Sequence, residues 1–159
     1  MFVVLRAALY SAGFIFLWAW LARSVRPLDA RMPFAIPGWL LPFGLLLILL
    51  GALLALWCIS TFVARGRGTP APFDPPREFV AAGPYRYVRN PMYVGAIGVL
   101  LGSGLALPSP SIVGLSFVFL WLAHLLVLLY EEPSLASRFG EPYLRYKATV
   151  HRWLPGIQK

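Results

Sequence analysis

Cysteine occurs once in the 159 residues, at Cys58 inside an apolar run, so no intrachain disulfide can staple the chain and no cluster of thiolates can hold a metal. Acidic side chains are also scarce, six against fourteen Lys and Arg, and only 13% of the residues are charged. A nucleic-acid reader needs a polar folded domain beneath its basic patch, and no stretch here is polar enough to build one. No glycine-rich turn follows a strand pattern, which excludes a Rossmann-type cofactor domain, and no metal-ligand spacing is visible. Hydrophobic residues make up 59% of the chain, too many for a soluble domain of this length. It reads as an all-α integral membrane protein, its basic residues flanking apolar runs.

Four spans are expected, over residues 3–22, 38–63, 92–107 and 111–130, forming a single membrane domain with an interfacial tail at 134–155. The first is broken only by Arg6, close enough to its end to snorkel, and no small-residue cleavage site follows it. The linker from Arg23 to Pro37 holds three prolines and three arginines and is expected as a connecting loop. Gly44 and Gly51, seven apart in the second span, share one helix face and permit close approach of another backbone or of a flat ligand. The stretch 64–82, with Gly66, Gly68 and four prolines, is too irregular for lipid. The third span is short, about 24 Å if helical. Eleven of the fourteen Lys and Arg fall on the side holding the termini and the 64–91 loop, which predicts that this side is cytoplasmic.

Chemistry concentrates at two helix ends. Residues 83–95 read Gly-Pro-Tyr-Arg-Tyr-Val-Arg-Asn-Pro-Met-Tyr-Val-Gly, with Asn90 and Pro91 as a helix start, Asn90 serving as the capping acceptor. Residues 130–133 read Tyr-Glu-Glu-Pro. Pro108-Ser109-Pro110 turns span three back into span four, so the hairpin returns Glu131 and Glu132 to the level of Arg89. Two adjacent carboxylates at a helix C-terminus need compensation. Either they cap the helix opening at Pro133, or they meet a cationic ligand with Arg86 or Arg89 completing a mixed-charge site. His124, seven residues before Glu131, suits an interhelical hydrogen bond or proton transfer. In the tail, Tyr143, Tyr146, Val150 and Trp153 recur at helical spacing on a segment expected to run to about Trp153, as a lid or an anchor.

These motifs, in this order across a hairpin, resemble the membrane methyltransferases that include isoprenylcysteine carboxyl methyltransferase and phosphatidylethanolamine N-methyltransferase. The likeness extends from about residue 45 to 155, and span one adds nothing to it. The resemblance implies S-adenosylmethionine as cofactor, held by Arg89, Asn90, Pro91 and Tyr93 with Glu131 and Glu132. Tyr85 and Gly51 join that set, the latter because Leu49-Leu50-Gly51 is similar to the glycine-containing cofactor segment of the phospholipid enzymes. Arg89, Tyr93 and Glu131 are the residues expected to act in transfer. Many isoprenylcysteine-type members carry histidine where this chain has Asn90, whereas the tail from Phe139 to Pro155 resembles that branch, so both acceptor classes stay open.

The residues suit such a cofactor. Carboxylates and aromatic faces attract its sulfonium and ammonium, arginine grips its carboxylate, and transfer needs mainly positioning in a partly dry pocket. The expected activity is methyl transfer to a lipophilic or membrane-embedded acceptor, in a multi-pass protein of a bacterial inner membrane with the site facing the cytosol. The competing expectation is a non-catalytic membrane protein whose basic loop docks a partner protein or anionic lipid.

Overall fold

Ser109 and Asp29 fasten together parts of the chain eighty residues apart. The Ser109 hydroxyl accepts from the Ile112 amide at 3.4 Å, as a helix N-cap does, and donates to Asp29 Oδ2 at 2.5 Å. Asp29 Oδ1 accepts the Ser111 amide at 2.8 Å, adding a carboxylate where the helix dipole favours one. The computed structural model describes residues 2–66 and 79–156, so most of the loop expected at 64–82 lies outside the described residues.

Among the described residues all regular structure is helical. Helix α1 (Phe2–Val25) passes into a 3-10 turn (Arg26–Arg31) that carries Asp29. The expected loop from Arg23 is therefore partly helical, because Pro27 stands at the start of the turn, where a missing amide hydrogen costs nothing. Helix α2 (Leu41–Thr61) follows a 3-10 turn (Gly38–Leu40) and ends in a π turn (Phe62–Gly66). Helix α3 (Pro91–Ala106) and helix α4 (Pro110–Leu126) form the expected antiparallel hairpin. Three stretches, Ala8–Arg31, Gly38–Ala64 and Pro110–Phe139, are long and apolar enough to cross a membrane, and α3 is a shorter apolar helix of 16 residues. The protein is a multi-pass helical membrane protein.

Helix α4 does not stop at the acidic pair. It widens into a π turn (Val127–Glu131) and continues as α5 (Glu132–Phe139), with Glu131 and Glu132 both at helical dihedrals. Pro133 explains the widening, since in an α-helix its ring would press on the carbonyl four residues back. Neither carboxylate caps the following helix. After Gly140, whose φ of +57° suits glycine alone, comes α6 (Glu141–Thr149). It ends four residues before the expected Trp153, and Val150 is extended.

The seam between α2 and α3 is the tightest contact. A Cβ on Gly51 would lie 2.5 Å from the Gly95 carbonyl oxygen, and one on Gly44 would lie 2.7 Å from that of Gly102. The face of Gly51 is thus filled by helix backbone. Because lipid offers no hydrophobic drive between helices, such backbone-to-backbone packing is what holds the pair. Helix α1 joins α4 through Trp18 and Phe14, whose rings stand 4.5 and 5.8 Å from that of Phe119.

Candidate functional site

The two adjacent glutamates lie in opposite electrostatic surroundings. Glu132, its side chain 4% exposed, is ringed by cations. Arg152 grips it with Nε to Oε1 at 2.7 Å and Nη2 to Oε2 at 3.1 Å, Lys147 Nζ lies 2.9 Å from Oε2, and Arg89 Nη1 lies 3.0 Å from Oε1. Three positive charges against one negative leave this cluster with a surplus of two. Hydrogen bonding to Glu132 raises Arg152 above the ordinary guanidinium value. Glu131, one residue earlier, makes no ion pair among the described residues, and its Oε1 accepts only the Tyr93 hydroxyl.

Arg89 faces both. Although its Nη1 pairs electrostatically with Glu132, neither Nε nor Nη1 makes a hydrogen bond among the described residues, and both atoms are buried. A buried guanidinium with unused donors is costly unless something anionic completes it.

A strap formed by residues 150–153 lies across the start of α3. The Arg89 amide donates to the His151 carbonyl at 2.9 Å, and Asn90 Nδ2 donates to the Arg152 carbonyl at 3.2 Å. The Asn90 side chain therefore does not cap α3, contrary to expectation; its carboxamide is drawn outward to the strap. Pro91 is buried at the helix start. Trp153 Nε1 donates to His124 Nδ1 at 3.1 Å, so His124 bonds the tail rather than a neighbouring span. The Trp153 ring also stands 6.4 Å from that of Tyr93.

Tyr85 is tied to α6. Tyr146 donates its hydroxyl to the Tyr85 carbonyl at 2.7 Å, and the rings of Phe62 and Tyr85 meet edge to face at 5.0 Å. Burial first, then the neighbouring Cys58, pushes the Tyr85 phenol well above its ordinary value, and burial does the same for Tyr146. Both stay protonated.

Of the residues singled out in the sequence, the hairpin brings Arg89, Asn90, Tyr93, Glu131 and Glu132 together. Gly51 lies in the α2–α3 seam, and Tyr85 is buried within electrostatic reach of Glu131. Arg86 is exposed and lines a groove of about 340 Å³ with Tyr87 and the strap residue His151, a groove that neither carboxylate lines. Lys147 and Arg152 were missed, because as a helix face they read as a solvated side. The only sequence signal for them was the lack of enough nearby cations for two buried glutamates.

The family model for phospholipid methyltransferases matches residues 39–142. The chain belongs to that family. No curated protein matches it. The matched stretch contains α2 to α5 with Arg89, Asn90, Tyr93, Glu131 and Glu132, and leaves out α1, Lys147 and the strap. Membership and the membrane-crossing helices together support a methyltransferase that works on a membrane-associated acceptor.

Proposed function

We propose that the chain transfers a methyl group from S-adenosylmethionine to a lipophilic acceptor in the membrane. The observation that carries this reading is the sorting of charge between Glu131 and Glu132. A group bearing both a carboxylate and positive charge fits that pair of environments. The unused Nε and Nη1 donors of Arg89, beside a cluster with surplus positive charge, suit its carboxylate. Glu131, the aromatic faces of Tyr93 and Trp153, and the absence of a competing cation among the described residues suit its positive end. When bound, S-adenosylmethionine supplies an electrophilic methyl group.

The remaining roles belong to the chain. Asn90 and Pro91 fix the start of α3 so that Arg89 and Tyr93 face the acidic pair. Glu131, oriented by the Tyr93 hydroxyl, takes the proton that a nitrogen nucleophile releases. The strap and Trp153 exclude water. Charge also separates the two acceptor classes, since Glu131 attracts an amine and repels a carboxylate. A docking patch for anionic lipid has no use for Glu131 and is the weaker reading.

In this reading α3 is a fourth, short crossing, with α6 at the membrane boundary and the site on the cytoplasmic side, where the Lys and Arg concentrate. Purified protein in phospholipid vesicles, given donor with a labelled methyl group, should place label in amine-bearing lipophilic compounds at a rate proportional to protein. Mass spectrometry of the lipid extract locates the label. Incorporation no greater than in protein-free vesicles, across amine, thiol and carboxylate acceptors, would remove the enzymatic reading.

A further inference from the structure

We propose that Arg152 is a positioning residue, which by occupying Glu132 keeps the donors of Arg89 open for an anionic group. This rests on the reading above, in which Arg89 receives the carboxylate of the methyl donor. Arg152 lies beyond the stretch that the family model matches.

A buried arginine beside a lone glutamate closes into a two-pronged fork, because the planar guanidinium matches both carboxylate oxygens. Arg89 stands near enough to do so, its Nη1 3.0 Å from Oε1, yet Nε and Nη1 form no hydrogen bond among the described residues. The fork is already taken. Arg152 spans both oxygens at 2.7 and 3.1 Å, and Lys147 adds a contact to Oε2 at 2.9 Å.

The Arg152 side chain is not what seats the strap. The bonds from the Arg89 amide to the His151 carbonyl and from the Asn90 side chain to the Arg152 carbonyl, with the Trp153 to His124 bond, all bypass its guanidinium. Truncating the side chain therefore leaves the strap in place and frees the Glu132 fork. Glu132 then turns to Arg89 and consumes the donors that a ligand would use. Arg89 and Glu132 would both be present, but satisfied by each other.

The test is a pair of substitutions with opposite signs. Arg152→Met should weaken S-adenosylmethionine binding about tenfold, the loss of one charge-assisted hydrogen bond, and raise KM far more than it lowers kcat. Adding Glu132→Gln to Arg152→Met removes the competing carboxylate and should restore most of the lost affinity. A merely structural role predicts the reverse, with the double variant worse than the single. Arg152→Lys, which keeps charge but not the fork, should fall between wild type and Arg152→Met and serves if the latter does not fold.

A readout free of the donor is the Arg89 Nε–H signal in ¹⁵N-arginine spectra of the detergent-solubilised protein. Its proton shift should move downfield in Arg152→Met, as Nε–H gains a carboxylate partner, and return toward the wild-type value in the double variant. If wild type binds no donor, the proposed function fails while this shift pattern still judges the competition. An unchanged shift in Arg152→Met, or no return in the double variant, overturns the inference.

Discussion

Glu131→Gln should lower methyl transfer to an amine acceptor by about 10²- to 10⁴-fold, the range for losing a positioned general base, while the protein still folds. The substitution keeps the shape of the side chain and an oxygen for the Tyr93 hydroxyl, but removes the negative charge and the ability to take a proton. Tyr93→Phe leaves that carboxylate in place without its orienting bond and should cost less, about tenfold. Single-turnover rates alongside thermal melting separate the effects. A Glu131→Gln protein that transfers methyl at the wild-type rate would show that the lone carboxylate is not the base. One that melts far below wild type would make Glu131 structural.

Gly51→Leu or Gly95→Leu should prevent a stable fold, and activity should vanish with it. At Gly51 a Cβ would stand 2.5 Å from the Gly95 oxygen and 2.9 Å from the Val99 nitrogen, and at Gly95 one would stand 2.7 Å from the Gly51 oxygen. These obstacles are backbone, which no rotamer change can clear. Overpacking typically costs about 1–3 kcal/mol where flexible side chains absorb part of it, and here the helices themselves must part. Since α3 carries Tyr93 in its first turn and Arg89 and Asn90 directly precede it, separating it from α2 also dismantles the site. Gly13→Leu and Gly114→Leu are the controls, as an added Cβ at either meets nothing within 4 Å apart from its chain neighbours and its own helix backbone. Melting in detergent should drop sharply for the seam variants and little for the controls. Equal losses in all four would mean that glycine content, not this seam, sets stability.

How much of this was legible in the sequence follows from what holds each part together. The apolar runs announced the helices, and Pro108-Ser109-Pro110 announced the hairpin, because both rest on local rules of hydropathy and backbone geometry. That hairpin was enough to bring Arg89 and Tyr93 to the acidic pair. The division of labour between Glu131 and Glu132 was not legible, since it depends on Lys147 and Arg152 reaching back from the tail, a contact that no periodicity encodes. Asn90 misled for a related reason. Its position before Pro91 is that of a cap, but a strap carbonyl 3.2 Å away competes successfully for its side chain. The pairing of Asp29 with Ser109 was hidden in the same way, in a linker whose prolines spoke only of a helix ending.

In the proposed function Arg89 and Glu131 are two poles for one ligand, and equilibrium titration with two donors tests this most directly. S-adenosylmethionine and its decarboxylated analogue differ at the group assigned to Arg89. Arg89→Gln should weaken binding of S-adenosylmethionine about ten- to a hundredfold and leave the decarboxylated analogue within about threefold of wild type. Equal weakening of both ligands, or a folded wild-type protein that binds neither, would contradict it.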